Sequence, residues 1–177
     1  DFRFRLLADP RFVYESLVHV PERPPGGMDS TTLARRLGDA AWTRTRGLHD
    51  ETVRLVLSRF RGREVETAGD SFLAVFDGAA RAVRCGAALV VATAAIDLAI
   101  RVGIHSGDVE IGGTGGVRGL AVNTAARVLA LASSGEVLVS STTRDLAEGS
   151  SLRFASRGRH ELKGLEGERE LFLLTEM

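Results

Sequence analysis

The segment Arg63–Phe76 reads R-E-V-E-T-A-G-D-S-F-L-A-V-F, and the rest of the chain is interpreted around it. Two short β-prone runs flank the pair Gly69-Asp70, an arrangement typical of a tight β-hairpin. Glycine permits a sharp turn, and aspartate is common in turns for conformational reasons alone. The hairpin by itself therefore leaves two roles open for Asp70. The residue either only makes the turn or also presents a carboxylate for chemistry.

Length and composition indicate one globular domain. The chain has 177 residues, enough for a core of its own, and 23 basic residues balance 23 acidic ones. This balance gives no sign of a nucleic-acid or membrane surface. The single cysteine, Cys85, is predicted to lie in the core, and one cysteine excludes an intrachain disulfide or a cysteine-based zinc cluster. The most apolar window, Cys85–Ile96, is too short to span a bilayer, and no signal-peptide pattern is seen, so we expect a cytoplasmic location.

The N-terminal half divides into a lead-in and a domain. Residues 1–28 form an atypical lead-in to a domain predicted over residues 29–177. Within the lead-in, the apolar residues around Val18 suit a strand, and Pro21–Gly27 predicts a loop. Helical spacing starts after the N-cap-type residues from Asp29 onward, breaks near Gly38-Asp39, and resumes over Leu48–Phe60.

Beyond the hairpin, helical and β-prone segments interleave. Helices are predicted over Gly78–Ala95, Leu120–Ala132 and Thr142–Ala147. The predicted strands are short: Ala99–His105, Val109–Ile111, Val137–Ser140, Leu152–Phe154, His160–Leu162 and Glu170–Leu174. Alternation of this kind indicates an α/β sandwich.

Four motifs occur in a fixed order: A-G-D-S-F-L-A-V-F (residues 68–76), I-R-V-G-I-H-S-G-D-V-E (Ile100–Glu110), G-L-A-V-N-T-A-A-R-V (Gly119–Val128) and H-E-L-K-G (His160–Gly164). Together they resemble the catalytic domain of class III nucleotide cyclases, over roughly Asp29 to Phe172. Any one motif alone is weak evidence, but the ordered set is specific. The resemblance implies an α+β fold with a ferredoxin-like βαββαβ core and an extra layer of C-terminal strands.

The resemblance also implies a division of labour among site residues. Family members bridge two divalent metals, Mg²⁺ or Mn²⁺, with two aspartates, and Asp70 matches the second of them. Asn123 and Arg127 match an asparagine and arginine that steady the transition state, and their spacing puts both on one helix face. Lys163 matches a lysine that contacts the triphosphate. The implied assembly is a head-to-tail homodimer, in which Asp70 and Lys163 act from one subunit and the Asn123/Arg127 pair from the other.

The chain departs from the family pattern at three positions. The first metal aspartate falls on Gly26, so the two-metal site is predicted to be incomplete, with Asp29 as a candidate substitute. Ser30 and Thr31, at a helix start, are candidate phosphate-binding residues. The two positions that select the purine hold Glu66 and Gly116, and a glutamate at position 66 can accept a hydrogen bond from a base amino group.

Several alternatives remain open at this point. Asn123 can be a simple polar contact, Arg127 a surface charge and Lys163 a turn residue. His105 is expected to pack against the sheet rather than to act as a base. The chain is then either an adenylate cyclase, converting ATP to cyclic AMP and pyrophosphate, or an inactive cyclase-homology module that dimerises or binds nucleotide weakly. A further alternative is that residues 1–28 are not the native lead-in to this domain. No G-G-D-E-F motif or aromatic RNA-stacking motif supports another ferredoxin-like function.

Overall fold

The computed structural model describes residues 14–23, 39–68, 71–111 and 116–177. Strands and helices alternate along most of this part of the chain. The strands are β1 (Tyr14–Arg23), β2 (Arg63–Ala68), β3 (Ser71–Phe76), β4 (Ala99–Ser106), β5 (Glu110–Ile111), β6 (Val117–Arg118), β7 (Val137–Ser140), β8 (Arg153–Glu161) and β9 (Glu168–Glu176). The helices are α1 (Asp39–Arg59), α2 (Ala79–Ala94), α3 (Leu120–Leu131) and α4 (Ser141–Leu146). No helix in these ranges is long and apolar enough to cross a bilayer.

The main sheet has seven strands in the order β2-β3-β1-β4-β7-β9-β8. Its first four strands alternate with α1 and α2 as βαββαβ, and every neighbouring pair among them is antiparallel. This is the predicted ferredoxin-like core, which is therefore confirmed. The predicted additional C-terminal strands are also present, but they extend the main sheet instead of forming a separate layer. The crossover through α3 lays β7 parallel to β4, and β9 and β8 then extend the same sheet at its edge.

Three predicted element boundaries change. The loop predicted over Pro21–Gly27 starts later, because β1 continues to Arg23. An irregularity in its pairing with β4 between His19 and Arg23 accommodates a proline that cannot donate a ladder hydrogen bond. Two predicted strands merge into β8, whose largely exposed residues hide the usual alternation. The helix predicted from Leu48 already runs from Asp39, whereas residues 29–38 lie outside the described ranges, so the domain boundary at residue 28 stays a prediction.

Two clusters of apolar residues hold the layers together. α1 and α2 cover one face of the sheet, where Phe72, Val83, Leu89 and Ile104 are all buried. Cys85 lies in the same cluster, as predicted, and burial raises the pKa of its thiol to about 12. α3 covers the opposite face. There the buried cluster contains the residues Val128, Ala132, Leu138, Leu162 and Leu171.

α3 approaches β4 unusually closely at two glycines. A Cβ added at Gly103 would lie 2.3 Å from the backbone nitrogen of Leu129, and one added at Gly107 would lie 3.0 Å from the Cβ of Ala121. Four residues of strand span about 13 Å, and eight residues of helix rise about 12 Å. The two spacings match. α3 therefore lies antiparallel along β4, with its N-terminus at the Gly107 end.

A buried polar network lies where β4, β7 and α4 meet. The Nδ1 atom of His105 is 2.8 Å from the hydroxyl oxygen of Ser140, which caps α4 by accepting from the backbone N–H of Thr143. The hydroxyl of Thr143 is 3.1 Å from that of Ser140 and 3.0 Å from that of Ser106. Burial, with the charge of Arg169 as a smaller cause, lowers the pKa of His105 to about 4. The imidazole is therefore neutral at pH 7. This agrees with the expectation that His105 packs against the sheet.

We expect Gly103→Ala to lower the free energy of unfolding by about 3 kcal/mol or more, because the added methyl group meets helix backbone that cannot move aside. Urea unfolding followed by circular dichroism measures the change. Gly47→Ala is the matched control. Gly47 lies on the exposed side of α1, and its Cβ would meet nothing within 4 Å. This substitution should stabilise the chain by up to about 1 kcal/mol, as alanine does in helices. Equal changes in the free energy of unfolding for the two variants would contradict the close contact between Gly103 and α3.

His105 should make stability fall as the pH drops. The pKa of its imidazole is about 4 when folded against 6.5 ordinarily, so the unfolded chain binds the proton first and stability is lost between those two values. One pKa unit corresponds to about 1.4 kcal/mol, so the loss is at most about 3 kcal/mol. Urea unfolding at pH 7, 5.5 and 4 measures it. His105→Gln should remove this component of the pH dependence, and His160→Gln should retain it.

Candidate functional site

Only part of the predicted site lies in the described ranges. Asp29, Ser30, Thr31 and Asp70 lie outside them. Glu66 is on β2, where its backbone pairs with Leu73 of β3, but its side chain is not among those described. The remaining three predicted residues, Asn123, Arg127 and Lys163, are all exposed.

α3 carries a stripe of four exposed residues, here called the α3 stripe: Leu120, Asn123, Arg127 and Leu131. Their spacing of three, four and four residues aligns them on one side of the helix. Leu120 is 63% exposed and Leu131 39% exposed, which is high for large apolar residues. Among the described residues, Asn123 and Arg127 have no side-chain hydrogen-bond or ion-pair partner. Unpaired polar groups between exposed leucines favour a surface that a ligand or another chain covers.

Strand register places the predicted residues along the sheet. Ser71, which follows Asp70 directly, pairs with His19, and His19 pairs with Arg101 on its other side. This level is called the hairpin end. At the opposite level Tyr14 pairs with both Phe76 and Ser106. This level is called the α3 end, because the N-terminus of α3 lies against the adjacent Gly107.

Asn123 and Ser71, the residue that follows Asp70 in the sequence, therefore lie at opposite ends of the sheet. Ser71 and Phe76 are five residues apart on one strand, which corresponds to about 17 Å. Asn123 follows Ala121, and Ala121 lies at the α3 end. Within a single chain, Ser71 and Asn123 therefore do not lie beside the same small group of atoms.

Lys163 lies at the α3 end, opposite the level of Ser71. β7 pairs with β9 through Ser140 and Leu171, so β9 begins beyond the level at which β7 ends. β8 ends opposite that start, where Glu161 pairs with Glu168, and Lys163 follows two residues later. The predicted grouping of Lys163 with Asp70 was made without these three strand pairings, and it stays a prediction because Asp70 lies outside the described ranges. Lys163 and Asn123 therefore lie at the same end of one chain.

The hairpin that carries Asp70 is fixed to α1 through Phe72. Phe72 is fully buried, and the ring of the buried His49 meets it edge-on with centroids 5.5 Å apart. The guanidinium of Arg54 lies 5.5 Å from the centroid of the same ring. Arg54 also donates two hydrogen bonds to Glu64 of β2, at 2.9 and 3.1 Å, and this contact raises the pKa of its guanidinium. These contacts orient the base of the hairpin.

The described residues do not include a cluster of three or more His, Cys, Asp or Glu side chains that could hold a metal ion. The two predicted metal ligands, Asp29 and Asp70, lie outside the described ranges. Aspartate carboxylates are ligands that Mg²⁺ and Mn²⁺ prefer. The metal site therefore stays a prediction.

Sequence reasoning missed the polar support beneath the α3 end. It treated His105 as packing alone, and it did not single out Ser140 or Arg169. The available signal was the G-x-H-x-G spacing from Gly103 to Gly107, which puts both glycines and His105 on one face of a strand. The partner Ser140 is 35 residues away, so the hydrogen bond itself could not be read from the sequence.

Comparisons with solved structures identify proteins that share this fold. A structure of the guanylate cyclase domain of RhGC from Catenaria anguillulae in complex with GTP superposes with a TM-score of 0.80, at 22% identity over 93% of this chain and 96% of that one. The adenylyl cyclase CyaB from P. aeruginosa gives a TM-score of 0.80 at 20% identity, over 93% of this chain and 95% of that one. These likenesses establish a shared fold.

Curated relatives are more similar in sequence. A putative adenylate cyclase 3 of Rhizobium meliloti is 35% identical over 115 residues, which is 60% of this chain and 19% of that protein. An uncharacterized protein of Mycobacterium tuberculosis is 36% identical over 100 residues, 55% of this chain and 34% of that protein. The matched part of this chain thus corresponds to between a fifth and a third of the length of these relatives.

The family model for the adenylate and guanylate cyclase catalytic domain matches residues 45–176. This range runs from α1 to the end of β9 and includes the hairpin, the α3 stripe and Lys163. The chain therefore belongs to the adenylate and guanylate cyclase catalytic domain family, and it is a class III cyclase domain.

Proposed function

We propose that this chain is an adenylate cyclase domain that converts ATP to cyclic AMP and pyrophosphate as a head-to-tail homodimer. The observation that carries the proposal is the placement of Ser71, the residue after Asp70 in the sequence, and of Asn123 at opposite ends of one sheet. A two-fold arrangement of two chains brings the hairpin end of one copy to the α3 end of the other and creates two equivalent sites. The exposed leucines of the α3 stripe supply apolar surface for that contact.

Asn123, Arg127 and Lys163, here called the α3 half of the site, are the groups that this reaction needs from one subunit. Ring closure transfers the α-phosphoryl group to the ribose 3′-oxygen, and negative charge develops on the phosphoryl oxygens and the leaving pyrophosphate. Arg127 and Lys163 are exposed cations without an ion-pair partner in the described residues, so their charges are available to a triphosphate. Asn123, one helical turn before Arg127, can orient the ribose by hydrogen bonding.

The hairpin end would supply the metal-binding carboxylates of the partner half. Asp70 and Asp29 are the residues that would hold Mg²⁺ or Mn²⁺, and Ser30 and Thr31 would bind phosphate oxygens through backbone N–H groups. The cation supplies charge neutralisation at the phosphates. Gly26 provides no carboxylate, so we expect weaker metal binding than a site with two matched aspartates would give.

The purine preference rests on fewer groups. The relative named a putative adenylate cyclase supports ATP as the substrate. A carboxylate at position 66 offers only acceptors, and these can pair with the amino group of adenine or with the N1–H and 2-amino group of guanine. Gly116 adds no side chain to the choice. GTP is therefore the competing substrate in any assay.

A second candidate function is an inactive cyclase-homology module that dimerises or binds nucleotide. Three sequence positions favour it: Gly26, Glu66 and Gly116, which replace groups that the family uses for metal and base. Such a module would keep the sheet and the α3 stripe and would lack turnover.

We expect purified protein to form cyclic AMP from ATP with Mn²⁺ and to form less cyclic GMP from GTP. Asp70→Asn and Asn123→Ala should each reduce product by about a hundredfold or more, because each removes a group that acts in the transition state. A 1:1 mixture of the two variants should recover about a quarter of the parental rate, since half of the dimers are mixed and each has one intact site. Quantification of the cyclic AMP and cyclic GMP formed measures the parent protein, each variant and the mixture.

Three outcomes of this experiment separate the candidates. Recovery in the mixture requires that the two residues act from different chains. Equal loss of activity in the two variants, with no recovery of activity in their mixture, would contradict the head-to-tail dimer. No product from the parent, with Asn123→Ala and Arg127→Ala indistinguishable from it in nucleotide binding, would favour the inactive module.

Gly116→Asp should raise the ratio of ATP to GTP turnover by about tenfold, the effect expected of one hydrogen bond to the adenine amino group. A side chain at this position meets nothing within 4 Å, so the substitution should not strain the fold. Gly47→Asp, on the exposed side of α1, is the matched control and should leave the ratio unchanged. Competition between the two nucleotides in one reaction measures the ratio directly.

A further inference from the structure

We propose that His105 is a positioning residue that sets where Asn123 and Arg127 stand relative to the partner chain, an inference that rests on the proposed cyclase activity. The imidazole is held from one side by Ser140, 2.8 Å from its Nδ1 atom. On the other side its Nε2 atom lies 3.2 Å from the point that a Cβ of Gly107 would occupy. The Cβ of Ala121, in the first turn of α3, is 3.0 Å from that same point.

The imidazole therefore belongs to the surface on which α3 rests. Gly103 and His105 of β4 and Gly107, directly after it, follow the alternation of a strand and share the face that α3 covers. The two glycines admit the helix closely, and the imidazole is the large side chain between them. Because Ala121 is only two residues before Asn123, a shift of α3 at this contact moves the amide of Asn123 with it.

Ser140 fixes the imidazole in turn. Its hydroxyl caps α4 and contacts the hydroxyl of Thr143, which is fully buried and is bonded onward to Ser106. A polar group with buried, hydrogen-bonded neighbours cannot rotate without leaving one of them unsatisfied. The network thus fixes the imidazole relative to β7 and α4, and the imidazole in turn supports the first turn of α3. His105 need not touch the substrate for this role.

The test assigns His105 to one half of the shared site by mixing subunits. His105→Ala alone should lower kcat on the order of tenfold to a hundredfold with a smaller change in KM, as expected for misplaced catalytic groups. A 1:1 mixture with Asp70→Asn should recover activity toward a quarter of the parental rate, because one site then has His105, Asn123 and Asp70 intact. A mixture with Asn123→Ala should recover nothing beyond the His105→Ala rate, because both defects lie in the same half.

Two further variants separate positioning from general damage. His105→Asn keeps a polar atom near the Nδ1 position and should restore part of the lost kcat. Gly107→Ala leaves His105 in place but adds a methyl group against Ala121 and the imidazole, so it should show the same mixing pattern. Urea unfolding accompanies each variant to show that the chain is folded.

Each remaining outcome would overturn the role. Unchanged kcat in His105→Ala, recovery with Asn123→Ala, or recovery with neither partner would rule out positioning of the α3 half. If the parent protein forms no product, and the 1:1 mixture of Asp70→Asn with Asn123→Ala forms none either, the proposed function itself fails. The positioning role then fails with it.

Discussion

The close approach of α3 to β4 is the constraint on which the rest of the structure depends. The backbone of Leu129 lies where any side chain at Gly103 would stand, so the strand must be bare at that point. Eight helical residues and four strand residues cover nearly the same length, so a second contact forms where Ala121 meets Gly107. Two contacts fix both the position and the direction of the helix. The α3 stripe consequently starts, with Leu120, at one defined end of the sheet.

The core of the fold was predictable because local patterns and global order agree there. The hairpin around Gly69-Asp70 and the βαββαβ order follow from alternation, helical spacing and motif order. The weakest predictions concern segments whose polarity hides their structure. β8 is exposed along most of its length, so its residues show no inward-facing alternation, and the interpretation split one strand into two. β1 passes through Pro21 because an irregularity in its pairing removes the need for a ladder hydrogen bond there.

The candidate site was predictable in its residue types but only partly in its arrangement. The spacing of Asn123 and Arg127 was enough to put both on one helix face, because a helix converts sequence distance directly into geometry. The end of the sheet at which Lys163 lies could not be predicted, since it depends on the pairing of β4, β7, β9 and β8 in succession. The contact between His105 and Ser140 was also out of reach, because it joins two strands that meet only through the crossover. Side chains that share one helix or strand can be placed from the sequence. Contacts between distant strands can be placed only when the strand register is known.

The opposition of the two sheet ends also clarifies why departures from the family pattern need not abolish every function at once. In the proposal, Gly26 replaces a carboxylate of the metal-binding half of the site, whereas Asn123, Arg127 and Lys163 act in the other half. In the proposed homodimer each site takes one half from each chain, so the missing carboxylate weakens the metal half of both sites and leaves both opposite halves unchanged. Support of α3 by Gly103, Gly107 and the neutral His105 therefore serves the α3 half of the site, however tightly the other half binds metal.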